Sequence, residues 1–563
     1  MTPAHPFDTD GTPGLRDWRV VMQPDRLSAM QPSRLSGARA FLNKMGRERW
    51  DIRPTRFDVD AEGRGTVVYS IKAPGQEFSF IGISFKPEPK GRTGRIIGRS
   101  WDMMGTLNEG PATETDIESA RDELPRLYRG RATPNALIWC RSNRSMRAFG
   151  LTRDALAEGR QPRIGDLNDV CYLMRNTGLD GNGTFGTRPF PALGPDHALG
   201  RPLEAQILTA YLMREFSCDL VEHLARLQAP DTAVPLSPRI RRWLGVGNGS
   251  ALGLIFYIQK HPRLIAGWIE ARERAIAAAL RLPATPQRVA RLRGLIDRAA
   301  TFREEDRMVY ETFAASARVA AELRGLIPPL EALEGQGGYP LRDLAEHAAR
   351  GTCPETSETL LSLMIELVPE TADALAAGIA GEDEMQVDPR RTASEMLHLI
   401  EGEWTWATEI DMRAGGAMDY VWYKSESAEE PRRGLRSEVP GARDLGLDVA
   451  GDVQRLATDL RATAADTTMA RFLLAHPGHR AMVARVQGLA GVGFHTPLAN
   501  INAADFVPIA LVRLMNVTVH GIDKTRDYLN RNLRGVLCHG APTPDDLRAG
   551  ECGDWFYPEE PRQ

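Results

Sequence analysis

Val67-Val-Tyr-Ser-Ile-Lys72 and Glu77-Phe-Ser-Phe-Ile-Gly-Ile-Ser-Phe85, joined by the turn sequence Ala73-Pro-Gly-Gln76, decide how this chain is read. Polar and apolar residues alternate in both pieces, so one face of each strand is apolar. The Pro-Gly between them is a strong turn signal. A third apolar piece, Arg95-Ile-Ile-Gly-Arg-Ser-Trp101, extends the hairpin to a small antiparallel meander.

From about Glu114 onward the spacing changes to the helical three-and-four pattern. In the stretch 202–227, Leu203, Ile207, Ala210, Leu220, Leu224 and Leu227 fall on one face. The stretches 262–282 and 286–301 behave likewise, each opened by a proline suited to a first helical turn. Residues 186–201, 228–238, 334–340 and 425–452 read as connectors. The expected fold class is α+β, a small N-terminal antiparallel sheet packed on a large, mainly α-helical body. At 563 residues the chain is long for one core. Three regions are expected: 1–113, an N-terminal α/β segment with the meander; 114–424, a helical body with glycine-rich ligand loops; and 425–563, a linker and C-terminal helical region.

With 42% hydrophobic and 26% charged residues the composition is that of a globular protein. The net charge of −4 gives no basic field for nucleic acid or anionic membrane, so neither is expected as a partner. No apolar run reaches the roughly 18 to 20 residues of a membrane helix, and Met1–Gly14 is unlike a secretory signal. The six cysteines lack CxxC pairing, which suggests free thiols and a cytoplasmic location. Lysine is scarce, which singles out Lys260, Lys424 and Lys524 in motif-like surroundings.

The richest motif is Cys171-Tyr-Leu-Met-Arg-Asn-Thr-Gly-Leu-Asp-Gly-Asn-Gly-Thr-Phe-Gly-Thr-Arg188, with four glycines and no helical or strand period. Glycine lets backbone amides approach a ligand closely. Arg175 and Arg188 are candidate forks for carboxylate or phosphate, and Asn176, Asp180, Asn182 and Thr184 would orient it. Gly181–Gly186 matches G-x-G-x-x-G, but Pro189, Pro191 and Pro195 follow, so no dinucleotide-binding helix can open there. Read as a calcium loop, the segment has Gly178 and Pro189 where the first and last acids belong. The same residues also suit a turn cluster capping neighbouring helices.

A second glycine-rich stretch, Arg241-Arg-Trp-Leu-Gly-Val-Gly-Asn-Gly-Ser-Ala-Leu-Gly253, runs into Leu254–Lys260. Here Asn248 and the candidate N-cap Ser250 would present bare amides at a helix start, where an anion is favoured; close helix packing also demands small residues. A third segment, 401–433, interleaves Trp404, Trp406, Trp422 and Tyr423 with Glu403, Glu409, Asp411, Lys424 and Glu426, as a small-molecule pocket wall or as a core seam.

Metal chemistry has one candidate set. Glu215, Asp219 and His223 stand four apart on one helix, and Glu395-Met-Leu-His398 is an E-x-x-H, although a second E-x-x-H is missing. His476-Pro-Gly-His479 marks a helix boundary, and Cys538-His539 reads as core, since adjacent side chains diverge. No cofactor is implied by any motif, so its identity stays unknown.

These features favour a cytoplasmic enzyme that binds a small anionic metabolite, a carboxylate or phosphate, and does lyase or transferase chemistry by acid–base catalysis. Asp180 or Glu426 would be the base and Lys424 the acid or electrostatic stabiliser. Arg175, Asn176, Asn182, Thr184, Arg188, Asn248, Ser250, Trp422 and Tyr423 would bind the ligand. Partners expected are that metabolite and, for assembly, a homo-oligomer. The alternatives are a metal- or haem-dependent oxidoreductase using Glu215, Asp219, His223, Glu395 and His398, and a non-catalytic assembly or regulatory protein.

Overall fold

The computed structural model describes residues 14–86, 102–127, 136–141, 145–167, 170–176, 196–201, 203–248, 262–305, 315–379, 386–411, 419–424, 432–438, 443–444, 449–494, 525–526 and 534–561. The fold class is α+β. Three helices, α1 (Trp18–Val21), α2 (Pro24–Ala29) and α3 (Gly37–Arg47), precede the sheet. The expected hairpin is β2 (Gly65–Ala73) and β3 (Gln76–Phe85), in register from Gly65↔Ser84 to Ala73↔Gln76. Its turn places Gly75 at φ +73°, a conformation that costs glycine nothing.

The sheet is larger than the meander. β1 (Asp51–Val59) precedes the hairpin and pairs with β2. Its alternation is hidden because Arg53, Pro54 and Arg56 interrupt it, and the register shifts between Pro54 and Arg56. Charge, proline and a bulge are what an outer strand carries. After β3 comes β4 (Asp102–Glu109), whereas the expected third strand, 95–101, lies outside the described residues. β5 (Ala136–Arg141), β6 (Tyr172–Asn176) and β7 (Gly245–Asn248) extend the same sheet.

A second sheet has the order β10-β8-β9, from β8 (Tyr420–Lys424), β9 (Arg432–Leu435) and β10 (Arg443–Asp444). Part of the expected connector 425–452 is therefore strand. The first sheet is finished by β11 (Thr525–Arg526) and β12 (Arg534–Leu537), giving the order β1-β2-β3-β4-β5-β6-β7-β12-β11. Among the described residues only β6 and β7 run parallel; the other neighbours are antiparallel.

Both sheet faces are covered by helices: α4 (Glu114–Leu127), α5 (Met146–Ala157), α6 (Ile164–Leu167), α7 (Glu204–Gln228) and α8 (Pro238–Trp243) lie between strands in sequence. Val67, Tyr69, Ile71, Phe78 and Phe80 join one core with residues of α3, α5 and α7. Val68, Ile81, Ile83 and Met104 point the other way and join Ile117 and Ala120 of α4. Tyr211, Phe216 and Leu220 of α7 are fully buried, each contributing on the order of 1.5 to 3 kcal/mol.

The helical body is a second core built from α9 (Pro262–Leu280), α10 (Pro286–Glu305), α11 (Ser316–Gly325), α12 (Pro340–Gly351), α13 (Pro354–Ile365) and α14 (Pro369–Gly378). Five of these begin with proline, which a first turn tolerates because its N–H has no helical partner. Buried arginines clamp the N-terminal segment to it: Arg16 donates to Glu273 at 2.7 and 2.6 Å and to Glu358 at 2.7 Å. The Glu358 carboxyl, which burial alone would raise, is held at about 2 by Arg16 and Arg272. A third core comprises α15 (Ala393–Glu403), α16 (Val449–Arg461) and α17 (Arg480–Gly488), with Trp404 fully buried in it.

The C-terminal stretch joins the first two cores. After α18 (Pro544–Ala549), Trp555 packs into the sheet core while Phe556 and Tyr557 pack into the helical body. Arg39 lies over both rings, 5.2 Å from Trp555 and 4.8 Å from Phe556.

Candidate functional site

The two glycine-rich stretches meet at the parallel pair. Arg175 stands opposite Gly247 and Asn176 opposite Asn248, so the chain leaves β6 and β7 at the same end of the sheet. Close approach explains the glycines of β7. A Cβ on Gly247 would lie 2.5 Å from the Tyr172 ring, and one on Gly245 would lie 2.4 Å from the Leu537 carbonyl oxygen. Tyr172, Cys171, Trp243 and Val536 form a small apolar cluster on this part of the sheet. Arg175 is buried at 4% exposure and is opposite Arg141 of β5 in register. Asn248 ends a strand here; the helix expected to start beside it, with Ser250 as N-cap, falls at residues outside the described set, as do Asp180, Asn182, Thr184, Arg188, Glu426, Lys260 and Lys524.

The aromatic segment is divided. Trp404 and Trp406 meet at 5.5 Å with tilted rings, one within and one against the third core, and Glu403 accepts the Gly491 amide at 2.8 Å. The core-seam reading therefore holds for these two tryptophans. Trp422, Tyr423 and Lys424 lie on β8, opposite Arg433, Arg432 and Arg443. Their strand is hydrogen-bonded into the three-stranded sheet rather than the one that carries Arg175.

The carboxylates of α7 are occupied by arginine. Arg241 donates to Glu215 at 2.9 and 2.8 Å and to Asp219 at 2.6 Å, and Tyr69 donates its hydroxyl to Asp219 at 2.6 Å. Burial and the neighbouring Asp219 push the Tyr69 phenol well above its ordinary value. His223 bonds the Val59 carbonyl at 2.8 Å. Glu395 is used in a capping box with Thr392, while His398 is exposed. The two halves of the expected ligand set belong to separate cores, α7 in the first and α15 in the third. Among the described residues no three His, Cys, Asp or Glu side chains come together as a metal site.

Neighbouring Arg214 is fully buried and donates to four carbonyls: Leu244 at 2.8 Å, Arg241 at 2.9 Å, Ala541 at 2.8 Å and Pro542 at 3.1 Å. Burial opposes its charge, but Glu215 at 3.2 Å more than compensates and raises its pKa. This side chain fixes the end of α8 and the start of β7 against residues 541–542.

Beyond that clamp is a cavity of about 790 Å³. Its walls are α8, Arg298 of α10, Asp546 of α18 and the chain from Glu551 to Pro561. It sits at the start of β7, the opposite end from Asn248. Arg242 donates to Asp546 at 2.7 Å through Nε and again through a second nitrogen. Burial alone would raise the Asp546 carboxyl; the Arg242 and Thr543 hydrogen bonds hold it below its ordinary range. The His539 ring meets Trp243 at 4.3 Å while Cys538 packs into the sheet core, so the adjacent pair does diverge. The lining residues outside α8 were not singled out from the sequence, although the run Trp555-Phe-Tyr-Pro558 was a signal for buried anchors.

Comparisons with family models, curated proteins and solved structures found no match.

Proposed function

We propose that the protein is an enzyme that binds a small carboxylate or phosphate metabolite where the chain leaves β6 and β7. One observation carries the reading: Arg175↔Gly247 and Asn176↔Asn248 set the ends of two Gly/Asn-rich stretches side by side at a parallel pair. Crevices at the carboxyl ends of parallel strands are where open sheets bind ligands. The sequence after Asn176 adds Asp180, Asn182, Thr184 and Arg188, and that after Asn248 adds Ser250. Arg175 and Arg188 take the anion in this proposal, Asp180 or Glu426 acts as the base, and Lys424 acts as acid or electrostatic stabiliser, with Trp422 and Tyr423 beside the ligand. Lyase or transferase chemistry requires no group beyond these. Free Cys218, Cys353 and Cys552 support a reducing compartment, the cytoplasm. No helix among the described residues is long and apolar enough to cross a membrane. Self-association to a homo-oligomer is part of the proposal and is read by light scattering.

The test is a thermal-shift titration with inorganic phosphate, citrate and succinate. Binding at a hundred times Kd adds about 2.7 kcal/mol, enough to raise Tm by several degrees. Arg188→Gln should abolish the shift and leave the unliganded Tm in place. No shift with any of the three anions overturns the reading.

A further inference from the structure

We infer that the cavity between α8 and the C-terminal stretch is a second binding site, for a ligand carrying both a negative and a positive group, of amino-acid or short-peptide chemistry. Its volume of about 790 Å³ lies within the roughly 300 to 1,000 Å³ typical of ligand sites. It also lies where two cores meet, since its wall residues Trp555 and Tyr557 belong to different ones. Such joints are where ligand pockets concentrate.

Charges of both signs line it. Arg239 and Arg242 come from α8 and Arg298 from α10, while Asp546 comes from α18 and Glu551, Asp554, Glu559 and Glu560 come from the C-terminal stretch. Some of this charge is internally matched. Arg242 is held by Asp546, which also caps α18, so that guanidinium is fixed in place. Asp554 is paired with Arg291 at 3.2 Å, and Arg298 donates to the Asp554 backbone carbonyl at 3.2 Å. Other charge is not: Arg239, Glu551 and Glu559 are exposed and make no ion pair among the described residues. Trp243, Pro542 and Pro558 add apolar surface to the lining. A purely anionic guest would meet the carboxylates and a purely cationic one the guanidiniums, and like-charge approach is penalised. A guest with one group of each sign, separated by a short spacer, meets a partner for each among the unpaired Arg239, Glu551 and Glu559.

The wall itself is firmly placed. Gly540 has φ +80°, and a Cβ there would lie 2.7 Å from Pro558 and from the Trp555 carbonyl oxygen. The Gly540 amide in turn donates to the Arg242 backbone carbonyl at 2.8 Å. The cavity is therefore a standing feature of the fold, and a guest would enter without reordering it.

Isothermal titration of the full-length protein tests this with three capped peptides: acetyl-Lys-Gly-Glu-amide, acetyl-Glu-Gly-Glu-amide and acetyl-Lys-Gly-Lys-amide. The mixed peptide should bind at least about tenfold more tightly than either single-sign peptide, a difference of about 1.4 kcal/mol. Arg239→Glu and Glu559→Lys should each weaken it by about fivefold or more. Both positions are exposed, so an unchanged circular dichroism melt will show that the variants fold. The inference is overturned if the mixed peptide gives no heat, if a single-sign peptide binds as tightly, or if both variants bind like the parent.

Discussion

Single side chains hold this molecule together in unusual ways. Arg214 satisfies four carbonyls from two distant stretches of the chain, 241–244 and 541–542. Arg214→Met should therefore cost about 3 to 5 kcal/mol, because those carbonyls and Glu215 lose a buried partner; urea unfolding measures it, and a loss under about 1 kcal/mol would refute the clamp. Glu366 behaves oppositely to Glu358. Burial pushes its carboxyl from 4.5 up to about 7, against the attraction of Arg39 and the Arg34 amide. The folded state then holds a proton that the unfolded state has released. Its contribution is complete below pH 4.5 and is lost as pH rises through about 7. Glu366→Gln should flatten the decline of the urea midpoint across about pH 5 to 8; an unchanged slope would assign the decline elsewhere. The stripe Glu215, Asp219, His223 shows what one sequence cannot give. Its spacing was plain, but the partner that consumes it, Arg241, sits on a different helix.

At the level of elements, local pattern decided what was legible. The β2–β3 hairpin was readable because Val67 to Lys72 and Glu77 to Phe85 alternate cleanly around Pro74-Gly75. The helix α7 was readable because its apolar face is continuous, and its observed bounds, Glu204–Gln228, nearly match the expected 202–227. Strands β5, β6, β7 and β12 were not, because four to six residues are too few for a period to emerge. In β7 glycine replaces the β-branched residues that announce a strand. Those glycines are required by contact. Gly245→Ala would drive a Cβ toward the Leu537 carbonyl and part β7 from β12. A loss of about 1 to 3 kcal/mol is expected, with faster amide exchange at Val246 and Val536; unchanged exchange would contradict the stated packing.

Across the whole molecule, contacts distant in sequence set the architecture, and these leave no local trace. The α+β class could be inferred from the change of period near Glu114, but not that residues 534–537 would lie beside 246–248. For the candidate site, Arg175, Asn176 and Asn248 are brought together, whereas Trp404 went to a core that its sequence pattern did not distinguish from a pocket wall. The C-terminal anchor also acts at this scale. Trp555→Ala should lower stability by about 3 kcal/mol or more and speed amide exchange in both α3 and α10; exchange confined to α18 would show that the two cores are not joined there. The late arrival of β12 has a further consequence during synthesis. Translation at about 5 to 20 residues per second separates β7 from its partner by tens of seconds. Through that interval the nascent polypeptide on the ribosome exposes bare amides along β7. Its four-residue, glycine-containing length gives a stray strand little to template on, so brevity there protects the unfinished chain from mispairing.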